Sequence, residues 1–175
     1  MKKLFAALAV LTFAFSAQAV DRTGEFALGY QSSIGANGTQ VGEGNWSVKY
    51  GLASNTNLQF LLGFGLGDVA DTSYTFGARF LYDLIENENS DFYVGLGAAF
   101  TGGDGHANAG GDLDGTLNVQ VPLGFAFSLA NAPAVEFSAE MGLTFNYPLD
   151  SGAWTLATNG GGAGTVFTAG AHYYF

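Results

Sequence analysis

"YTFGARFLYDL", residues 74–84, has a period of two. Tyr74, Phe76, Ala78, Phe80, Tyr82 and Leu84 fall on one side, and Thr75, Gly77, Arg79, Leu81 and Asp83 on the other. Successive side chains of an extended strand point to opposite faces. The stretch therefore reads as a strand with one continuous apolar face, its charges confined to the other. The same pattern recurs in "FALGY" (26–30), "NWSVKYGLA" (45–53) and "NLQFLLGFGLG" (57–67), and again over 92–100, 117–127, 135–145 and 166–175, making eight strand candidates.

The direction of each face decides the fold. Large side chains crowd one face, while the other is rich in Gly, Ala, Ser and Thr. A soluble sandwich or lipocalin-type barrel buries its large apolar face inside. An eight-strand interior cannot hold this many Phe, Leu, Tyr and Trp residues, so they must point outward, into lipid. About ten residues at ~3.3 Å each, tilted by ~40°, cross roughly 25 Å of hydrocarbon. The expected fold is all-β, an eight-stranded antiparallel up-and-down transmembrane barrel. Long links at 35–44, 67–73, 102–115 and 148–164 alternate with short ones at 54–56, 86–91 and 130–134, which places both termini on the short-turn side.

Composition agrees. Of 175 residues, 48% are hydrophobic and only 11% charged, about half the usual share of charge. No run of eighteen apolar residues follows residue 19, so helical spans are unsupported. The absence of cysteine leaves stability to packing and backbone bonding. "MKKLFAALAVLTFAFSAQA" combines a basic start, a short apolar stretch and a small-x-small end, the layout of a secretory signal. Cleavage is expected after Ala19, leaving one barrel domain over residues 20–175. Arg22, Lys49 and Arg79 are then the only basic side chains beside fifteen acids, which excludes a nucleic-acid partner.

The signal, the eight alternating strands and the terminal "AHYYF" resemble the small outer-membrane β-barrels of Gram-negative bacteria, the OmpX/OmpA-like group. The resemblance spans residues 20–175 as a pattern. It implies a multi-pass outer-membrane location with periplasmic termini. It also implies recognition of the last strand, through Phe167, Ala169, Ala171, Tyr173 and Phe175, by the barrel assembly machinery. Outer-membrane lipid and lipopolysaccharide are the other expected partners, the expected state is a monomer, and no cofactor is expected. The fold carries no single activity with it.

Six charged residues fall on inward positions: Glu25, Lys49, Arg79, Asp83, Glu136 and Glu140. The leading expectation is a buried network that fills the lumen, because an eight-strand interior is just wide enough for side chains. The alternative is a narrow porin-like pore. Inward glycines are expected to relieve crowding against Leu61, Tyr93 or Tyr174, and Pro122 is expected to force a bulge or a broken ladder bond. A lipid-modifying enzyme would need a histidine beside a hydroxyl or carboxylate. His172 is inward but near the wrong rim for an outer-leaflet substrate, and His106 lies in a Gly-rich loop. A hydrogen-bonded structural role for His172 is the favoured reading. Asp104, Asp112 and Asp114 are candidate oxygen ligands for a divalent cation. Trp154 is either an interfacial anchor or an exposed adhesive side chain. The leading function is a non-catalytic barrel that anchors acidic, Gly-rich surface loops and serves envelope integrity or adhesion.

Overall fold

The computed structural model of the chain describes residues 20–35, 41–65, 72–103, 115–158 and 165–175. The expected leader, residues 1–19, lies outside the described residues. The strands are β1 (Phe26–Gly35), β2 (Val41–Ala53), β3 (Thr56–Gly65), β4 (Ser73–Asn87), β5 (Ser90–Gly103), β6 (Gly115–Leu129), β7 (Ala132–Pro148), β8 (Thr155–Thr158) and β9 (Thr165–Tyr174). Neighbours pair antiparallel from β1 through β7, β7 pairs with β9, and β9 closes on β1.

The barrel has eight staves, the last of them in two pieces. β8 pairs with the upper part of β7, from Leu143↔Thr158 to Asn146↔Thr155. β9 pairs with the lower part, from Glu140↔Thr168 to Val135↔Tyr173. The expected loop over 148–164 therefore contains a short strand. Four residues are too few to give a readable period, and Leu156 is placed outward beside Phe145 only through its pairing.

The register fixes the shape. Ladder partners followed from Phe137 lead through Ala171, Tyr30, Trp46, Leu62, Phe76, Phe100 and Leu117 to Tyr147, ten residues further along β7. A displacement of ten residues over eight strands corresponds to a tilt of about 40°. Every side chain on this path belongs to the outward set, and Trp46, Phe76 and Tyr147 are exposed. On the adjacent inward set, Ser47, Leu61, Ala99 and Asn146 are buried.

Local detail departs from the expected pattern at the turns and beside Asp83, while Pro122 shows the second of its two expected outcomes. The short links are two-residue turns, Ser54-Asn55, Glu88-Asn89 and Ala130-Asn131, because the strands run further than their apolar cores. A bulge between Asp83 and Ile85 turns both Leu84 and Ile85 outward. At Pro122 there is no bulge: Val94↔Leu123 and Gly97↔Gln120 keep one register, and the ladder is interrupted between them. The ring of Pro122 lies against Gly95, where a Cβ would come within 2.9 Å of Pro122 Cγ and 2.6 Å of Leu81 Cδ2. Gly124 likewise admits the Tyr93 ring, which would lie 2.2 Å from a Cβ there. Tyr93, one of the expected crowded partners, is thus accommodated by Gly124, and Leu81 by Gly95.

Candidate functional site

The inward faces of all eight staves meet in the lumen, where alternation brings distant residues together. At mid-height Arg79 on β4 reaches across to Glu140 on β7. Its Nη1 donates to both carboxylate oxygens, at 3.0 and 3.1 Å. Its Nε and Nη2 donate to Gln120 Oε1 at 2.8 and 2.5 Å. Gln31 also donates to Glu140, and Gln59 donates to Gln31 at 3.0 Å and to Ser47 at 2.8 Å. Gln59 and Ser47 are at 0% exposure, Gln31 at 3% and Glu140 at 4%, while Arg79 and Gln120 are half-buried. A buried charge is tolerable only when paired and hydrogen-bonded, and this lattice meets both conditions.

A second cluster lies below it. Lys49 donates to Glu136 at 2.6 Å, and the Tyr174 hydroxyl donates to the other carboxylate oxygen at 3.0 Å. His172 Nε2 is 2.8 Å from Ser47 Oγ, and its Nδ1 is 3.8 Å from Glu136 Oε1. Tyr174→Phe leaves the Lys49 bond intact while removing one donor to a buried carboxylate. A loss of about 2 kcal/mol is expected, read as a lower unfolding midpoint in detergent.

Ser47, His172 and Glu136 stand in the order of a nucleophile, a base and an orienting carboxylate. Their surroundings do not fit that chemistry. Ser47 already accepts from Gln59, and no face of it is open to a substrate. Glu136 is held by Lys49 and Tyr174 rather than aimed at the imidazole.

Above the lattice, a cavity of about 590 Å³ is lined mainly by neutral polar side chains, among them Asn45, Thr75, Thr101, Asn118, Thr144 and Asn146. Arg79 and Glu140 line it as well, and they are already paired with each other. Below the lattice lies a small pocket of about 20 Å³.

Of the six sequence candidates, Lys49, Arg79, Glu136 and Glu140 form these two clusters. Glu25 stands at the lower mouth, paired with Arg22 at 3.1 Å. Asp83 accepts from Asn57 at 3.1 Å and lines the lower pocket. Sequence reading left Asp91 in a turn, yet it is a β5 residue on the wall of that pocket. It also passed over Arg22, which precedes the first strand, and the neutral Gln31, Gln59 and Gln120, whose inward parity was the available signal.

Asp104, Asp112, Asp114 and His106 lie outside the described residues. Among the described residues, no group of three His, Cys, Asp or Glu side chains is arranged to hold a metal. Trp154 is exposed and stacks on Phe145, centroids 5.6 Å apart. On the last strand Phe167, Ala171, Tyr173 and Phe175 are exposed and Ala169 half-buried, opposite the buried His172 and Tyr174.

A solved structure shares this architecture: the N-terminal β-barrel domain of OprF from Pseudomonas aeruginosa. The two align over 87% of this chain and 98% of that one, with a TM-score of 0.53 and 14% identity. The chain has the OmpA-like barrel fold. No family model and no curated protein matches the sequence. At this identity the likeness is one of fold alone, and the lumen residues have to be read on their own chemistry.

Proposed function

We propose that this chain is a non-catalytic outer-membrane barrel that anchors its acidic, Gly-rich loops at the cell surface, where they serve envelope integrity or adhesion. In this reading residues 1–19 are removed on export, both termini face the periplasm and the chain works as a monomer. Outer-membrane lipid and lipopolysaccharide surround the apolar belt, and the assembly machinery reads the strand from Phe167 to Phe175.

The observation that carries the proposal is the filled lumen. Arg79, Glu140, Gln31, Gln59 and Gln120 bond to one another across the bore, and the pocket beneath them holds about 20 Å³. With the bore occupied by structure, the long loops are where specificity resides. Replacing residues 104–114 with a short Gly-Ser linker should leave the barrel assembled and reduce surface adhesion or resistance to detergent. Unchanged phenotypes with normal assembly would count against the loop-display role.

The second reading is a narrow pore, favoured by the polar cavity of about 590 Å³ on one side of the lattice. Planar-bilayer recordings separate the two. Absence of conductance steps is expected for the wild-type barrel, and resolved steps would replace the anchor with the pore.

A further inference from the structure

The lower mouth of the lumen is crossed by the segment before β1. Gly24 N–H donates to Gly51 O at 2.8 Å, Gly51 N–H to Glu25 O at 3.1 Å, and Glu25 N–H to Arg22 O at 2.9 Å. Gly24 takes φ +81°, the left-handed turn that brings the chain back across the opening. The Arg22 guanidinium covers the Tyr174 ring at 3.9 Å, donates to Ser128 Oγ at 3.2 Å and also reaches the Pro133 carbonyl. This fastens the segment to β6, β7 and β9, and Val20 ends up on the wall of the small lower pocket.

That pocket has more negative than positive charge. Arg22, Lys49, Asp83, Asp91 and Glu136 all line it. Lys49 is committed to Glu136, Arg22 to Glu25 and, higher up, Arg79 to Glu140. These are the only basic side chains after residue 19. Among the described residues, Asp83 and Asp91 have no ion-pair partner, and Asn57 Oδ1 on the same wall is buried without a donor. The pocket therefore presents acceptors where the chain has no cationic side chain left.

We propose that the missing cation is the chain's own N-terminus: the α-ammonium group freed by cleavage after Ala19 seats against Asp83 and Asp91. This rests on the leader reading given above. In the precursor the same nitrogen is an uncharged amide, so the lower mouth gains its final bond only after processing.

The test is the reactivity of that amine. Protein purified from membranes is treated with limiting acetic anhydride at pH 7, native and SDS-unfolded, and acetylation of the N-terminal peptide is followed by mass spectrometry. A free α-amine titrates near 7.7–8.0, and pairing that raises this by about one unit cuts the reactive fraction about tenfold. The native Val20 amine should therefore react about tenfold more slowly than the unfolded one. Asp83→Asn/Asp91→Asn should restore most of the difference while the barrel still migrates as the folded form on unheated gels. The single Asn variants, each with a partial effect, serve if the double variant does not assemble. A chain beginning at a residue other than Val20 would overturn the inference together with the cleavage site. A Val20 amine whose native rate is the same in wild type and Asn variants would overturn the pairing alone.

Discussion

Arg79→Ala is expected to lower the stability of the barrel by about 3–5 kcal/mol, the range found when one partner of a buried ion pair is removed. Arg79 is ion-paired at 3.0 Å with Glu140, a carboxylate at 4% exposure. Its removal takes the paired guanidinium away from that buried carboxylate, and Gln120 Oε1 loses two donors at once. Urea unfolding in lipid vesicles, or the temperature at which the folded band is lost on gels, reads the loss directly. The mechanism has its own signature. Glu140→Gln removes the charge while keeping an oxygen for Gln31, so Arg79→Ala/Glu140→Gln should be more stable than Arg79→Ala alone, by about 2 kcal/mol. If the double variant is no better, the loss comes from the emptied volume of the arginine, and the charge argument fails.

This lattice marks where sequence reading stops. Which residues face inward was legible, because period two assigns every side chain to a face once the strand is recognised. Lys49, Arg79, Glu136 and Glu140 could be placed in the lumen from alternation alone. Who meets whom was not legible. Lys49 and Glu136 are 87 positions apart, on β2 and β7, and their meeting depends on the shear of the whole ring, which no local pattern encodes. The neutral members were harder still. Gln31, Gln59 and Gln120 look like ordinary small-face residues until the geometry shows them bridging charges. Residues outside the strands carry no period at all, which is why Arg22 went unread, and the four residues of β8, Thr155–Thr158, are too few to show one. Asp91 was lost for a related reason: strand ends extend past their apolar cores into what composition marks as turn.

The polar lumen and the apolar belt also divide the work of folding differently from a soluble domain. The belt gains little from contact between its own side chains, since lipid surrounds it. Specific closure must therefore come from the ladder, which pairs each stave's backbone with its neighbours, and from the interior bonds. The seam between β1 and β9 carries both. It runs from Ala27↔Tyr174 to Gly35↔Thr165, and it presents His172 and Tyr174 to the lower cluster.

Gly29→Val is accordingly expected to abolish assembly, leaving almost no folded form in the membrane fraction. Gly29 faces His172 across the seam and Ser47 on β2. A Cβ at this position would lie 2.2 Å from the Ala171 carbonyl oxygen and 2.3 Å from His172 Cδ2. Neither neighbour has room to retreat. The carbonyl is backbone of the closing strand, and the imidazole is 2% exposed and bonded through Nε2 to Ser47 at 2.8 Å. Overpacking of this kind costs about 1–3 kcal/mol in a core that can adjust. Here adjustment means parting the two strands whose pairing closes the barrel, so broken ladder bonds add to the cost. Leu28→Val is the matched control: one residue away and outward-facing, it should assemble as wild type does, within about 0.5 kcal/mol. The comparison of heated and unheated samples on gels measures both. Wild-type levels of folded Gly29→Val would mean that the seam yields without parting, and that the glycine is not what allows β1 and β9 to meet.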